Sequence, residues 1–351
     1  MCIRDRCQSL LEKSIIPLDE IQNLRFAGLL HDIGHGPFSH LFEEVLQKNR
    51  KISHEHLGRS IIQKTEIGDL ISKNGFSKKS IANLAFSNSK HQFMNEIISG
   101  ALSADMMDYL LRDGYFTGAE HAKIDHKRLT YSLDVYKNKL ALDKSALVNF
   151  ETMLISRYQM FKAVYFHKTV RAGEVMLLKA MSLAEDELGF SSLDLDEFLK
   201  LSDEYVLSKL LNLSESNSDL KTSKKIATNY LNRNLFKCVF ERMVTSKNGF
   251  SNKIIGELEN KIAKKSKIDS NEIHLDTSTT NSIPMTPSKK ESKSVILITR
   301  KNKIIAEEFP ISKIPLVSTI SGKMNILRVY TQQNNRKKVE IAAKSILGEI
   351  E

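Results

Sequence analysis

Apolar residues recur at helical spacing through most of the first 260 positions. In LDEIQNLRFAGLLHDI (18–33), Ile21, Leu24, Ala27 and Leu30 fall on one stripe, and Asp19 stands where a helix start is capped. FSHLFEEVLQ (38–47) reads as a second short helix, entered through Gly36 and Pro37. The segments 91–112, 145–188, 196–211 and 224–245 carry the same periodicity, with interruptions such as NGF at 74 and 248. The pattern predicts a helical first part, without a repeat of solenoid length.

Beyond it the pattern changes. Residues 263–294 hold eleven Ser or Thr and two Pro with little to bury, the composition of a linker. SVILITR (294–300) and KIIAEEF (303–309) read as strands joined by a short turn, and NILRVYT (325–331) as a third. The basic amphipathic stretch RKKVEIAAKSILGEI (336–350) predicts a closing helix. The expected fold class is mainly α with a small C-terminal α+β region, divided at 1–125, 126–262, a linker at 263–294, and 295–351.

At 351 residues and 41% hydrophobic, the chain can bury a sizeable core. Fifty-two Lys and Arg against 42 Asp and Glu leave a charge of +10, which favours polyanionic ligands. There is no unbroken run of five Lys or Arg and no Trp, so a dedicated nucleic-acid platform is not favoured. Cys2, Cys7 and Cys238 form no C-x-x-C pair, and no stretch approaches the roughly 18 apolar residues of a membrane span. These features point to a reducing cytoplasm. The opening MCIRDRCQSLLEK lacks the apolar centre of a signal peptide.

The densest chemistry lies in HDIGHGPFSH (31–40). His31 and Asp32 can offer an imidazole nitrogen and a carboxylate oxygen to one divalent ion, and further ligands must come from elsewhere in the chain. Read alone, the pair is also an ordinary helix end, where the dipole favours an imidazolium. Gly34 and Gly36 mark places where backbone comes close to a neighbour. His35 and His40 can contact phosphate or supply a proton.

AGLLHDIGHGPFSHLFEEVL (27–46) closely resembles the HD-domain phosphohydrolases, and within them the deoxynucleoside triphosphate triphosphohydrolases. ISGALSADMMDYLLRDGYFTG (98–118) is similar to the distal motif of that family, which implies Asp105 as a third metal ligand beside His31 and Asp32. Asp108, Tyr109, Arg112 and Asp113 follow at spacings that share much of one helix face, and the resemblance gives Tyr109 and Asp113 to the substrate. ISHEHLGRS (52–60) resembles the segment that brings a catalytic histidine, here His54, with Glu43 as the carboxylate that holds it protonated. SRYQMFKAVYFHKTVRAGEVML (156–177) is similar to the helix lining the nucleotide pocket, where Arg157 would meet triphosphate and Tyr165 deoxyribose. His35 and His40 would face phosphate.

The resemblance thus implies an all-helical HD domain that hydrolyses a dNTP to deoxynucleoside and tripolyphosphate. It further implies a divalent cation (Mn, Mg, Fe, Zn or Ni), a homo-oligomer and, in some relatives, an allosteric nucleotide. Two departures keep alternatives open. The family carries a fourth ligand, a histidine upstream of the doublet, and residues 1–30 contain none. Either the protein has lost its metal and become a silent nucleotide sensor or nucleic-acid-binding module, or the natural N-terminus lies upstream of Met1; the presence of every later motif favours the second. Met106 stands where relatives often carry a basic residue, which leaves another phosphoester as an alternative substrate.

Overall fold

The computed structural model describes residues 16–50, 52–244, 251–277, 294–300, 304–315 and 325–348. In chain order the helices before the first strand are α1 (Leu18–Leu30), α2 (His40–Arg50), α3 (His54–Lys64), α4 (Glu66–Lys73), α5 (Lys78–Ala85), α6 (Gln92–Ser99), α7 (Ala104–Thr117) and α8 (His126–Tyr131). A hairpin of β1 (Leu133–Tyr136) and β2 (Lys139–Asp143) precedes α9 (Leu147–Met160), a π-turn (Phe161–Tyr165) and α10 (Lys168–Leu183). There follow α11 (Glu185–Leu188), α12 (Leu195–Phe198), α13 (Asp203–Leu211), α14 (Ser218–Leu231), β3 (Lys237–Val244), α15 (Asn252–Ser266) and β4 (Ile273–Thr277). The last elements are β5 (Ser294–Arg300), β6 (Ile304–Pro310), β7 (Asn325–Thr331) and α16 (Arg336–Leu347).

The mainly helical fold expected from the pattern is present, and it gathers into two compact units, neither continuous in sequence. The first comprises residues 1–35, 53–164 and 284–321. In α1, Ile21, Leu24 and Ala27 are buried as the stripe predicts, and the helix packs on α5. It opens after Pro17 without a side-chain cap and stops at Leu30, three residues earlier than expected, because His31–Gly34 form a turn. Helix α7 starts on Ser103, whose hydroxyl accepts the Met106 N–H, and ends on Gly118 in the left-handed region.

The second unit comprises residues 36–52, 165–283 and 322–351. Helix α10 runs through it against α2 and α14. A three-stranded sheet in the order β3-β7-β4 rests one face on α15 and α16, where Leu258, Ile262, Leu275, Leu327, Val329 and Val339 form an apolar core.

Three expectations need correction. Residues 133–143, expected to be helical, form a hairpin turned by Lys137 and Asn138, both at positive φ. Residues 237–244 likewise form a strand, because Cys238 and its neighbours pair with β7 near the end of the chain; local periodicity cannot register so distant a partner. Of the expected linker, residues 263–277 complete α15 and supply β4, while 278–293 lie outside the described residues. The strands 294–300 and 325–331 appear with the predicted bounds, yet they serve different sheets. β5 and β6 extend the β1–β2 hairpin into a four-stranded sheet, with β2 and β5 parallel, and β7 joins the other sheet.

Candidate functional site

In the first unit the end of α1 meets the first turn of α7. His31 Nε2 lies 3.3 Å from Asp32 Oδ2 and 3.6 Å from Asp105 Oδ1. The other ring nitrogen, Nδ1, donates to the Gly28 carbonyl at 2.9 Å, which fixes the tautomer and aims Nε2 at the two carboxylates. That Nε2 is buried and has no hydrogen-bond partner among the described residues. Burial works against an imidazolium here, but the contact with Asp105 and the charges of Asp32 and Asp105 outweigh it and raise the pKa to about 9. One imidazole and two carboxylates within reach of a single point form a donor set for a divalent cation.

His35 extends this arrangement. Its Nε2 is 3.7 Å from Asp32 Oδ1, and its ring stacks on that of His54, with centroids 4.1 Å apart and planes 14° from parallel. His54 is the first residue of α3, which Ser53 caps by accepting the His56 N–H. The reason for Gly34 is now visible, because a Cβ there would overlap the His54 carbonyl and the Gly58 backbone. The glycine lets the turn after Asp32 press against the start of α3, and so brings His35 to His54.

Along α7, Met106, Met107, Leu110 and Gly114 are buried, and Asp105, Asp108, Tyr109, Arg112 and Asp113 occupy more open positions. Arg112 reaches Asp108 at 3.2 Å and Asp113 at 4.0 Å. Near the end of α9, Arg157 holds its guanidinium 5.8 Å above the Phe161 ring. The following π-turn, a form concentrated at functional sites, carries Tyr165.

The second unit, to which Tyr165 belongs, carries the remaining candidates. Phe38 and Ser39 stand at φ 55° and 50° before α2, a costly conformation for a bulky residue, and the Phe38 N–H is held by Asp203 Oδ1 at 2.8 Å. Nothing in the sequence signals this pair, since the glycines that would announce such a turn are elsewhere. His40 faces Glu43, Nδ1 to Oε2 at 3.7 Å, and Glu43 also accepts from Gln47 at 3.1 Å. His40 is largely exposed while Glu43 is mostly covered. The structure thus groups His31, Asp32, His35, His54 and Asp105 in one unit and pairs His40 with Glu43 in the other. The stacking of His35 on His54 goes beyond the phosphate-facing part expected of His35.

Residues 10–113 match the HD domain and residues 124–350 the HD associated region. An uncharacterized protein of Bacillus subtilis, YwfO, is 32% identical over 61% of this chain and 52% of its own length. The Dictyostelium discoideum homolog of the deoxynucleoside triphosphate triphosphohydrolase SAMHD1 is 31% identical over 64% of this chain and 45% of its own. The chain spans about half the length of the curated relatives it matches. Among solved structures, a phosphohydrolase from Bacteroides thetaiotaomicron superposes with a TM-score of 0.71 at 23% identity, over 95% of this chain and 85% of that one. A hypothetical protein from Aquifex aeolicus gives 0.74 at 26% identity, over 98% and 84%. Among the described residues no helix is long and apolar enough to cross a membrane.

Proposed function

We propose that this chain, which belongs to the HD-domain phosphohydrolase family, hydrolyses a deoxynucleoside triphosphate to deoxynucleoside and tripolyphosphate with the help of a divalent cation. The observation that carries the reading is the buried His31 Nε2, turned by Gly28 toward Asp32 and Asp105 and lacking a hydrogen-bond partner among the described residues. His31, Asp32 and Asp105 would hold the ion. Once bound, such an ion supplies positive charge against a phosphoryl oxygen and eases ionisation of the attacking water.

The remaining work falls to the chain's own side chains. His54 donates a proton to the departing 5′ oxygen, and His35 stacked on it fixes the plane of its ring. Glu43 is the carboxylate that the resemblance sets behind His54. Arg157 offers its planar fork to phosphate oxygens and His40 adds a donor, while Tyr109, Asp113 and Tyr165 receive the sugar.

The Dictyostelium relative bears the name of a dNTP triphosphohydrolase, which supports this substrate. The test is to incubate the protein with Mn²⁺ and each dNTP in turn and to assay for tripolyphosphate. Release from at least one dNTP, lost in Asp105→Asn, is the expected result. Turnover of a different phosphoester with no tripolyphosphate would transfer the site to the second reading, which Met106 favours. That side chain is buried and uncharged where relatives often place a cation for phosphate.

A further inference from the structure

The sheet of the second unit has two unlike faces. One is apolar and rests on α15 and α16. On the other, the register sets His274 and Cys238 on either side of Tyr330, and Asp276 and Glu241 on either side of Arg328. These are polar residues, yet His274, Asp276, Arg328 and Tyr330 are all buried.

Polar contacts run from this face to the first turn of α10. The Tyr330 hydroxyl donates to the Lys168 carbonyl at 3.1 Å. Arg171, one turn further, donates Nε and Nη2 to the two oxygens of Asp276 at 3.1 and 2.6 Å, and Nη1 to Glu174 at 2.5 Å. Glu44, beside Glu43 in α2, adds its charge to the same guanidinium.

We propose that Tyr330, Asp276 and Arg171 form a clamp by which the C-terminal sheet positions the start of α10, and with it Tyr165, for the substrate. The inference rests on the reading of Tyr165 as a sugar-contacting residue. Its physical basis is that apolar side chains could fill the same space at no loss of stability, since a buried ion pair seldom outdoes well-packed hydrophobic groups. What a two-pronged guanidinium–carboxylate contact adds is direction. Direction is needed here because the α-helical hydrogen-bond pattern is interrupted by the π-turn before α10, which starts anew on the His167 cap. Tyr165 is three residues from the clamped carbonyl, and small displacements near reacting groups are costly.

Tyr330→Phe removes the hydroxyl and leaves the ring in place. It is to be compared with wild type by hydrogen exchange on peptides covering 165–171 and by steady-state kinetics with whichever nucleotide the wild type turns over. Exchange in 165–171 is expected to quicken about fivefold, the loss of one hydrogen bond, with α15 and α16 unchanged. KM is expected to rise by a similar factor while kcat moves less. Arg171→Lys keeps the charge but gives up the fork, and is expected to show the same split; it also stands in if Tyr330→Phe loses its cooperative melt. Unchanged exchange in 165–171 in both variants overturns the clamp whether or not any nucleotide is turned over. Faster exchange with an unaltered KM overturns its link to the substrate. A wild type that turns over no nucleotide defeats the reading of Tyr165 instead, and the exchange arm still decides the clamp.

Discussion

Around His31 the carboxylates stand partly open to solvent, whereas on the polar face of the C-terminal sheet Asp276 is closed in and gripped by a guanidinium. Asp32 is 60% exposed and Asp105 37%, and both converge on His31 Nε2, at 3.3 and 3.6 Å. Asp276 is 6% exposed and grips Arg171 with both oxygens. Like residue types therefore serve unlike ends. On the proposed reading, the carboxylates beside His31 stay receptive to a cation because they remain within reach of solvent. A structural network has the reverse requirement, since an unpaired charge in its position would be penalised by several kcal/mol.

Substitutions at the two places should accordingly fail in opposite ways. Asp105→Asn is expected to lower turnover by on the order of a thousandfold, the scale on which charge at a reacting phosphoryl group acts, and to shift urea unfolding by less than about 1 kcal/mol because the group is more than a third exposed. Equal losses of activity and stability would erase the distinction. Arg171→Met is expected to do the contrary and destabilise by about 3 kcal/mol in the same urea titration, since Asp276 would remain buried without its cation.

A smaller effect tests how closed the sheet region is. His274 lies in β4, stacked on Phe236, and burial followed by the charge of Lys179 depresses its pKa from 6.5 to about 3. The folded form therefore refuses a proton that the unfolded chain accepts. This contribution is complete above pH 6.5, declines as the pH falls toward 3, and changes no further below that. The slope is at most about 1.4 kcal/mol per pH unit. Urea unfolding across this range should show a shallower acid decline for His274→Gln than for wild type; parallel curves would place the proton elsewhere. The mildest change is Ser103→Ala, which removes the cap of α7 and should cost about 1 kcal/mol of stability, with turnover reduced only as far as Asp105 loosens.

What could be read from the sequence follows the same division. The cluster from His31 to His40 announces itself because its members crowd into ten positions, and the need for Gly34 was legible as a close backbone approach before its neighbour, the start of α3, was known. The stripe of α1 and the strands at 294–300 and 325–331 were equally local. Arg171 and Asp276 are 105 residues apart; the first sits in a stretch read for Arg157 and Tyr165, the second in the expected linker, and neither announces the other. The strand at 237–244 was missed for a related reason, as its pairing with β7 comes from the far end of the chain. Local pattern reports what a segment can bury, and says little about which distant segment will cover it.

The hydrogen bond from His31 Nδ1 to the Gly28 carbonyl would, on the proposed reading, place cation recognition under the control of a backbone turn. The ring cannot swing to present its other nitrogen without abandoning that carbonyl, so a cation that displaced the Nε2 proton would meet a lone pair already aimed. The last turn of α1 works as a jig for a single atom. Its geometry could therefore be detuned by fraying the helix end, with His31, Asp32 and Asp105 all left in place.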